Sequence, residues 1–169
     1  MIEVLTVLKE EIILKFSKFN LMRNKFTLFI IPILLILLSI VLLILNIEKF
    51  VLPIIGICLA VLVPVAMIFV NSLFTKVTFK HEQEGDTYFK FLFNQNNYEV
   101  ENNIGGLVTT NVLLYQHILK CFETKLYFYL YVNKNYAYIV DKAGFQNGSA
   151  EELSELLKFN CRKYKFINK

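Results

Sequence analysis

The stretch "ETKLYFYLYV", residues 123–132, has side chains of two kinds in strict alternation. The even-numbered positions from 126 to 132 are Leu, Phe, Leu and Val, whereas the odd-numbered positions from 127 to 131 are all tyrosine. Successive side chains of a β-strand point to opposite faces, so this period predicts a strand with one apolar face and one tyrosine face. The pattern leaves open whether solvent, packed protein, a ligand or a membrane covers the tyrosines.

Short β-like runs lie on both sides of this stretch. They occupy residues 87–93, 98–102, 107–111, 119–124 and 136–142. Asn- and Gly-rich turns separate the runs at intervals of about ten residues, which predicts an antiparallel meander or a small barrel. Residues 112–118, "VLLYQHI", fit either a strand or a single helical turn.

The period changes after residue 145. Ser149 and Glu152 have the spacing of a capping box, which predicts that a helix begins there. Its expected apolar face consists of Leu153, Leu156, Leu157, Cys161 and Tyr164. A single amphipathic helix after a series of strands is expected to close the sheet or barrel.

Two long apolar runs precede the strands, at residues 26–45 and 51–70. No charged residue occurs between Lys25 and Glu48 or between Lys49 and Lys76. Each run has the length of about 20 residues that a helix needs to cross a hydrocarbon core of about 30 Å. We therefore predict an α+β membrane protein with two transmembrane spans.

Only residues 46–50, "NIEKF", separate the runs, so the spans are expected to form an antiparallel hairpin. Basic residues are concentrated in residues 1–25 and just after the second span, at Lys76 and Lys80. The positive-inside bias predicts a multi-pass protein of the inner, or plasma, membrane with both termini in the cytoplasm. Gly56 and Ala60 form a small-xxx-small pair that would let the two helices approach closely.

The predicted organisation has three parts: an amphipathic arm at residues 1–25, the hairpin at residues 26–70 and a cytoplasmic domain at residues 71–169. In the arm, Leu5, Leu8, Ile12, Phe16 and Phe19 have helical spacing. This helix could lie at the lipid headgroups or pack on the cytoplasmic domain, and the sequence leaves both open.

Residues 122–145, "FETKLYFYLYVNKNYAYIVDKAGF", resemble the C-terminal signature of the bacterial YcxB-like family of small membrane proteins. The matching residues are Glu123, Thr124, Lys125, Tyr127, Tyr129, Tyr131, Lys142 and Phe145. The family commonly has Pro before the final Lys, whereas this chain has Asp141, which puts the local turn in doubt. The resemblance implies a pleckstrin-homology-like (PH-like) antiparallel β-barrel closed by the C-terminal helix, and it carries no established activity and no catalytic residues.

Few residues suggest catalysis or metal binding. His81 and His117 have no adjacent nucleophile motif, and Cys58, Cys121 and Cys161 lack the spacing of a zinc site. Glu82, Glu84 and Asp86 are better explained as a solvated linker than as a cation site. We therefore predict no catalytic residue, no metal and no cofactor, and the net charge of +4 does not suggest nucleic acid.

The candidate docking face consists of Lys125, Tyr127, Tyr129, Tyr131, Tyr138 and Lys142. Tyrosines suit half-exposed interfaces, but they also stabilise hairpins as cross-strand pairs, and both explanations fit. The tail at residues 162–169, "RKYKFINK", could likewise contact anionic lipid or only end a helix.

These observations predict a membrane-tethered, non-enzymatic interaction or sensing module. Its cytoplasmic domain would dock a protein partner or a lipid at the inner membrane surface, and the chain could form homo-oligomers. The alternatives are an immunity or stress-resistance membrane protein and a subunit of a transporter or hydrolase complex.

Overall fold

The computed structural model describes residues 1–23, 25–45, 51–82, 87–134 and 136–167, and of residues 25–28 and 77–82 only the backbone. The chain divides into two compact units. The helical unit is residues 9–81, and the sheet unit combines residues 1–8 with residues 82–169. The connection at residues 46–50, the side chain of His81 and residues Glu84 and Asp86 lie outside this description.

The helical unit contains α1 (Glu10–Arg23), α2 (Lys25–Ile44) and most of α3 (Val51–Glu82). Within the described residues, Val51–Lys76 is one helix long and apolar enough to cross a membrane, and Phe29–Ile44 is a shorter apolar helix. The sequence placed the boundary between the hairpin and the following domain at residue 71, and in the structure α3 continues past it to Glu82, with polar residues in its last turns. The apolar run therefore ends before the helix does.

Close packing joins the helices of this unit. A Cβ atom on Gly56 would collide with the hydroxyl of Ser39, so α2 and α3 approach closely at the predicted small-residue position. Hydrogen bonds join α1 to α3: the Asn71 amide donates to the Ser17 hydroxyl at 2.7 Å, and that hydroxyl lies 2.9 Å from the hydroxyl of Thr75. Part of the polar side of α1 is therefore hydrogen-bonded to α3.

Two sheets form the rest of the fold. The first contains β1 (Ile2–Val7), β2 (Tyr88–Phe93), β3 (Asn97–Ile104), β4 (Leu107–Leu114) and β8 (Phe145–Asn147), in the order β4-β3-β2-β1-β8. The second contains β5 (Lys120–Glu123), β6 (Tyr127–Tyr131), β7 (Ala137–Asp141) and β9 (Tyr164–Phe166), in the order β7-β6-β5-β9. All pairings are antiparallel except that of β5 with β9.

One hydrophobic core joins both sheets and the C-terminal helix α4 (Ala150–Asn160). Phe91 and Val100 enter it from the first sheet, Phe128 and Leu130 from the second, and Leu157 from the helix. Ser149 caps α4 by accepting from the Glu152 amide at 3.2 Å, which confirms the predicted helix start. The α+β class is confirmed, but in the described part of the chain the two sheets share no strand, so no closed barrel is seen.

The predicted amphipathic arm was wrong at its beginning. Residues 2–7 form β1, which lies between β2 and β8, and helix α1 begins only at Glu10. The side chains of Ile2, Val4 and Thr6 are buried in alternation with less buried neighbours. Apolar residues at positions 4, 5, 7 and 8 satisfy both a helical and a strand period, and pairing with β2 selects the strand.

The strands predicted between residues 87 and 142 are confirmed, with small shifts of their ends. Residues 112–118 combine both predicted possibilities, because β4 continues to Leu114 and a single 3₁₀ turn follows at Tyr115–His117. The short strands β8 and β9 were not predicted.

Candidate functional site

A buried carboxylate cluster lies where β5, β9, α4 and the turn after β7 meet. The Glu123 side chain is only 10% exposed, and its Oε1 accepts a charged hydrogen bond from the Lys142 ammonium at 2.6 Å. Its Oε2 accepts from the Ser154 hydroxyl at 3.1 Å and from the Tyr164 hydroxyl. Glu123, Lys142, Ser154 and Tyr164 are called the Glu123 cluster below.

Local structure holds each member of the cluster in place. Glu123 ends β5, and Lys142 begins the 3₁₀ turn Lys142–Gly144 after β7, with its ammonium 4.6 Å from the centre of the Phe128 ring. Ser154 lies on the buried side of α4, and Tyr164 begins β9. The cluster therefore ties the C-terminal helix and strand to the second sheet.

The electrostatics of the cluster favour the charged form of the carboxylate. Burial by itself would raise the pKa of Glu123, but the hydrogen bonds from Lys142, Tyr164 and Ser154 outweigh it, and the pKa is lowered. Burial and the hydrogen bond to Glu123 raise the pKa of Tyr164, so that phenol remains a donor. Because both carboxylate oxygens already accept protein hydrogen bonds, the arrangement joins elements together rather than presenting a base to a substrate.

Thr124 and Asp141, which are next to cluster residues in the sequence, form hydrogen bonds within the fold. Thr124 closes the turn between β5 and β6, since its hydroxyl accepts from the Tyr127 amide at 3.0 Å. Asp141, which stands where the family commonly has Pro, donates its amide to the Thr6 hydroxyl at 3.0 Å, and its carboxylate accepts from the Ala143 amide at 2.9 Å. A proline at position 141 has no N–H and could not make the first of these bonds.

The tyrosines of β6 are buried. Tyr127, Tyr129 and Tyr131 have exposed fractions of 7%, 2% and 1%. Ring centres lie 6.0 Å apart for Tyr127 and Tyr129 and 5.6 Å apart for Tyr131 and Phe122. As they stand, these three side chains present no open docking surface.

The other residues of the predicted docking face do not share one surface. Tyr138 lies opposite Leu130 and packs in the core, because the register places Ala137 and Ile139 across from the tyrosines. Lys142 belongs to the Glu123 cluster, and Lys125 is exposed in the turn before β6. The structure thus does not bring the six predicted residues together.

The basic tail has mixed exposure. Tyr164 is drawn into the Glu123 cluster, whereas Arg162, Lys163 and Lys165 are exposed and Phe166 is 53% exposed. His117, in the 3₁₀ turn after β4, is also exposed. Among the described residues, no group of three or more His, Cys, Asp or Glu side chains could hold a metal ion.

The most open element of the sheet unit is β4. Among the described residues it is the terminal strand of the first sheet and pairs with β3 alone, and all of its residues except Leu113 are exposed. Leu107 is 71% exposed, Val112 is 61% exposed and Val108 is 53% exposed. Its sequence, "LVTTNVLL", contains no charge, which is the one signal that could have marked it as an unprotected edge.

The turn before β4 fixes the direction of its backbone groups. Gly105 and Gly106 have positive φ values of 59° and 85°, and Ile104 lies opposite Leu107, which defines a two-residue type I′ hairpin. In such a hairpin Leu107 bonds to the neighbouring strand, so the odd-numbered residues of β4 direct N–H and C=O to β3. The backbone groups of Val108, Thr110 and Val112 point away from the sheet.

Comparison with known proteins gives one family. The model of the family described as YcxB-like protein matches residues 93–159, from the end of β2 to the last turn of α4. The resemblance predicted from residues 122–145 is therefore confirmed over this part of the chain. No curated protein and no solved structure matches the chain.

Proposed function

We propose that this chain is a membrane-tethered, non-enzymatic interaction module whose sheet unit binds an extended protein segment along β4. The observation that carries the proposal is the open edge of the first sheet. Three outward-facing peptide groups and four exposed aliphatic side chains (Leu107, Val108, Val112 and Leu114) are available there. An added strand would satisfy these backbone groups and cover the side chains.

The chemistry of β4 favours a protein segment over a lipid. Lipid headgroups are recognised by clustered Lys and Arg side chains, and β4 has none. A free strand edge instead offers alternating N–H and C=O groups, which an extended peptide matches at every second residue. The predicted docking face on β6 is replaced in this proposal, because its tyrosines are buried.

The order of elements along the chain supports the predicted membrane hairpin. β1 precedes α1, α2 and α3, and β2 follows them, yet the two strands are hydrogen-bonded neighbours. Pairing of β1 with β2 requires both ends of the helical unit to be on the same side of any membrane that the unit crosses. This supports two crossings, by α2 and α3, over a single crossing by α3.

The distribution of basic residues and the packing of the sheet unit also support the proposal. The Lys and Arg residues before α2 favour the cytoplasm for both termini, which supports a position for the sheet unit at the inner surface of the cell membrane. Two sheets packed on one core with α4 also suit the PH-like arrangement that the family resemblance implies. The partner would be a membrane or cytoplasmic protein.

Photo-crosslinking in native membranes tests the binding edge. A photoreactive amino acid at Thr110 is expected to give a discrete protein adduct, and the same amino acid at the exposed Glu155 of α4 is the matched control. Adding a Val112→Pro change should abolish the adduct, because proline removes an outward N–H without breaking a bond to β3. Lipid adducts alone, or the same adduct from both positions, would refute the proposal.

A further inference from the structure

We infer that the strand bound by β4 is the β4 strand of a second copy of this chain, in an antiparallel arrangement with Thr110 on the two-fold axis. The inference rests on the proposed function, because it names the partner of the same edge. It follows from three features of β4. They are which of its residues point their backbone N–H and C=O groups away from the sheet, how its side chains match about Thr110, and its lack of charge.

The backbone phase permits self-pairing. Two antiparallel copies related by a two-fold axis perpendicular to the sheet place each residue opposite one whose number has the same parity. Since Val108, Thr110 and Val112 all point their peptide groups outward, the even-numbered residues of one copy meet those of the other. The two Thr110 residues would exchange a pair of N–H to C=O hydrogen bonds across the axis.

The side chains select this register. With Thr110 opposite Thr110, Val108 lies opposite Val112 of the second copy, so the centre of one face carries matched β-branched pairs. On the other face Leu107 lies opposite Leu113. Centring the axis on Asn111 would instead place Thr110 against Val112 and Asn111 against itself, which matches polar and apolar groups less well.

Nothing in β4 opposes the pairing. The strand has no charged residue, and the acids nearest to it, Glu99 and Glu101, lie on β3, one strand farther from the axis. Two copies in one bilayer are held at a high effective concentration, which favours an edge-to-edge contact. The two five-stranded sheets would become one continuous sheet.

Disulfide mapping in native membranes tests the register. The background carries Cys58→Ala and Cys161→Ala, and Cys121 stays because it is fully buried. Thr110→Cys alone should form a covalent dimer on mild oxidation, because its Cα atoms would lie about 5.5 Å apart, within disulfide range. Val108→Cys and Val112→Cys should crosslink when co-expressed on differently tagged copies, about tenfold more than either alone, since like positions lie four residues out of register.

Edge variants provide the second measurement. Thr110→Pro removes the outward N–H on the axis, and Val108→Lys with Val112→Lys places like charges beside the seam. Each should convert a dimer to a monomer in nanodiscs, measured by mass. Leu126→Lys, at a residue that is 50% exposed outside β4, is the matched control and should remain dimeric.

The outcomes separate the inference from the proposed function. A covalent dimer at Thr110 together with monomeric edge variants supports both. A monomeric wild-type chain whose β4 crosslinks a different protein overturns the inference and leaves the proposed function standing. Wild-type chains that neither dimerise nor crosslink through β4 refute both.

Discussion

Strands β6 and β4 are both rich in apolar residues, yet their surroundings are opposite. All five residues of β6 are buried, whereas seven of the eight residues of β4 are exposed. β6 lies between β7 and β5 in the second sheet, whereas β4 has a neighbour on one side only within the described part of the chain. Position in the sheet, rather than composition, therefore decides which strand is core and which is available surface.

Leucine truncation should show the largest difference between the two strands. Leu130→Ala in β6 removes a fully buried side chain, and we expect a loss of about 3 kcal/mol in the free energy of unfolding. Leu107→Ala in β4 removes one that is 71% exposed and should cost no more than about 0.5 kcal/mol. Denaturant unfolding in detergent, followed by the near-ultraviolet circular dichroism of the tyrosines, measures both.

The truncations are made in the Thr110→Pro chain, so that pairing through β4 contributes to neither value. Similar losses of unfolding free energy for Leu130→Ala and Leu107→Ala would contradict the difference between the two strands. They would show that β4 is as well packed as β6.

Removing the cation of the Glu123 cluster should have the next largest effect. Lys142→Met leaves the buried Glu123 carboxylate without its charged partner, and we expect a loss of about 2 kcal/mol, moderated because the Lys142 side chain is 18% exposed. Lys125→Met, in the exposed turn, is the control and should be nearly neutral. The Glu123→Gln/Lys142→Met double variant should lose less than the sum of the single changes, and strict additivity would show that the two side chains do not interact.

The pH dependence should show a smaller effect of the same carboxylate. The pKa of Glu123 is lower in the folded chain than its ordinary value of 4.5, so its stabilising contribution is present above that value and is lost as the pH falls through the folded pKa. The stability difference between wild type and Glu123→Gln should therefore narrow as the pH falls from 6 to 3. A difference that widens on acidification would mean that the folded pKa is raised.

The sequence predicted the fold best where a local pattern fitted only one kind of secondary structure. Alternation marked the strands from β2 to β7, and Ser149 with Glu152 marked the first turn of α4. The sequence was ambiguous for β1, because its apolar spacing fits both a helix and a strand. Pairing with β2, more than 80 residues away, selects the strand. The sequence contained no sign of β9, whose parallel pairing with β5 depends on the folded position of α4.

The sequence could not decide whether the tyrosines are exposed or packed, for a related reason. The tyrosines were recognised as a face, but their burial depends on packing that no local pattern encodes. The Glu123 cluster joins residues 31 and 41 positions apart, so Ser154 and Tyr164 could not be assigned to it from spacing. The open edge of β4 could have been suspected from its lack of charge, but its place at the end of the sheet required the strand order.

The place of β1 has a consequence for biogenesis. This strand is translated before the helical unit, while its neighbours β2 and β8 are translated only after every residue of that unit. If the helical unit crosses a membrane as proposed, β1 must stay unpaired until α2 and α3 have been inserted. On that proposal, completion of the sheet would report correct insertion, because β1 and β2 cannot pair when they lie on opposite sides of a membrane.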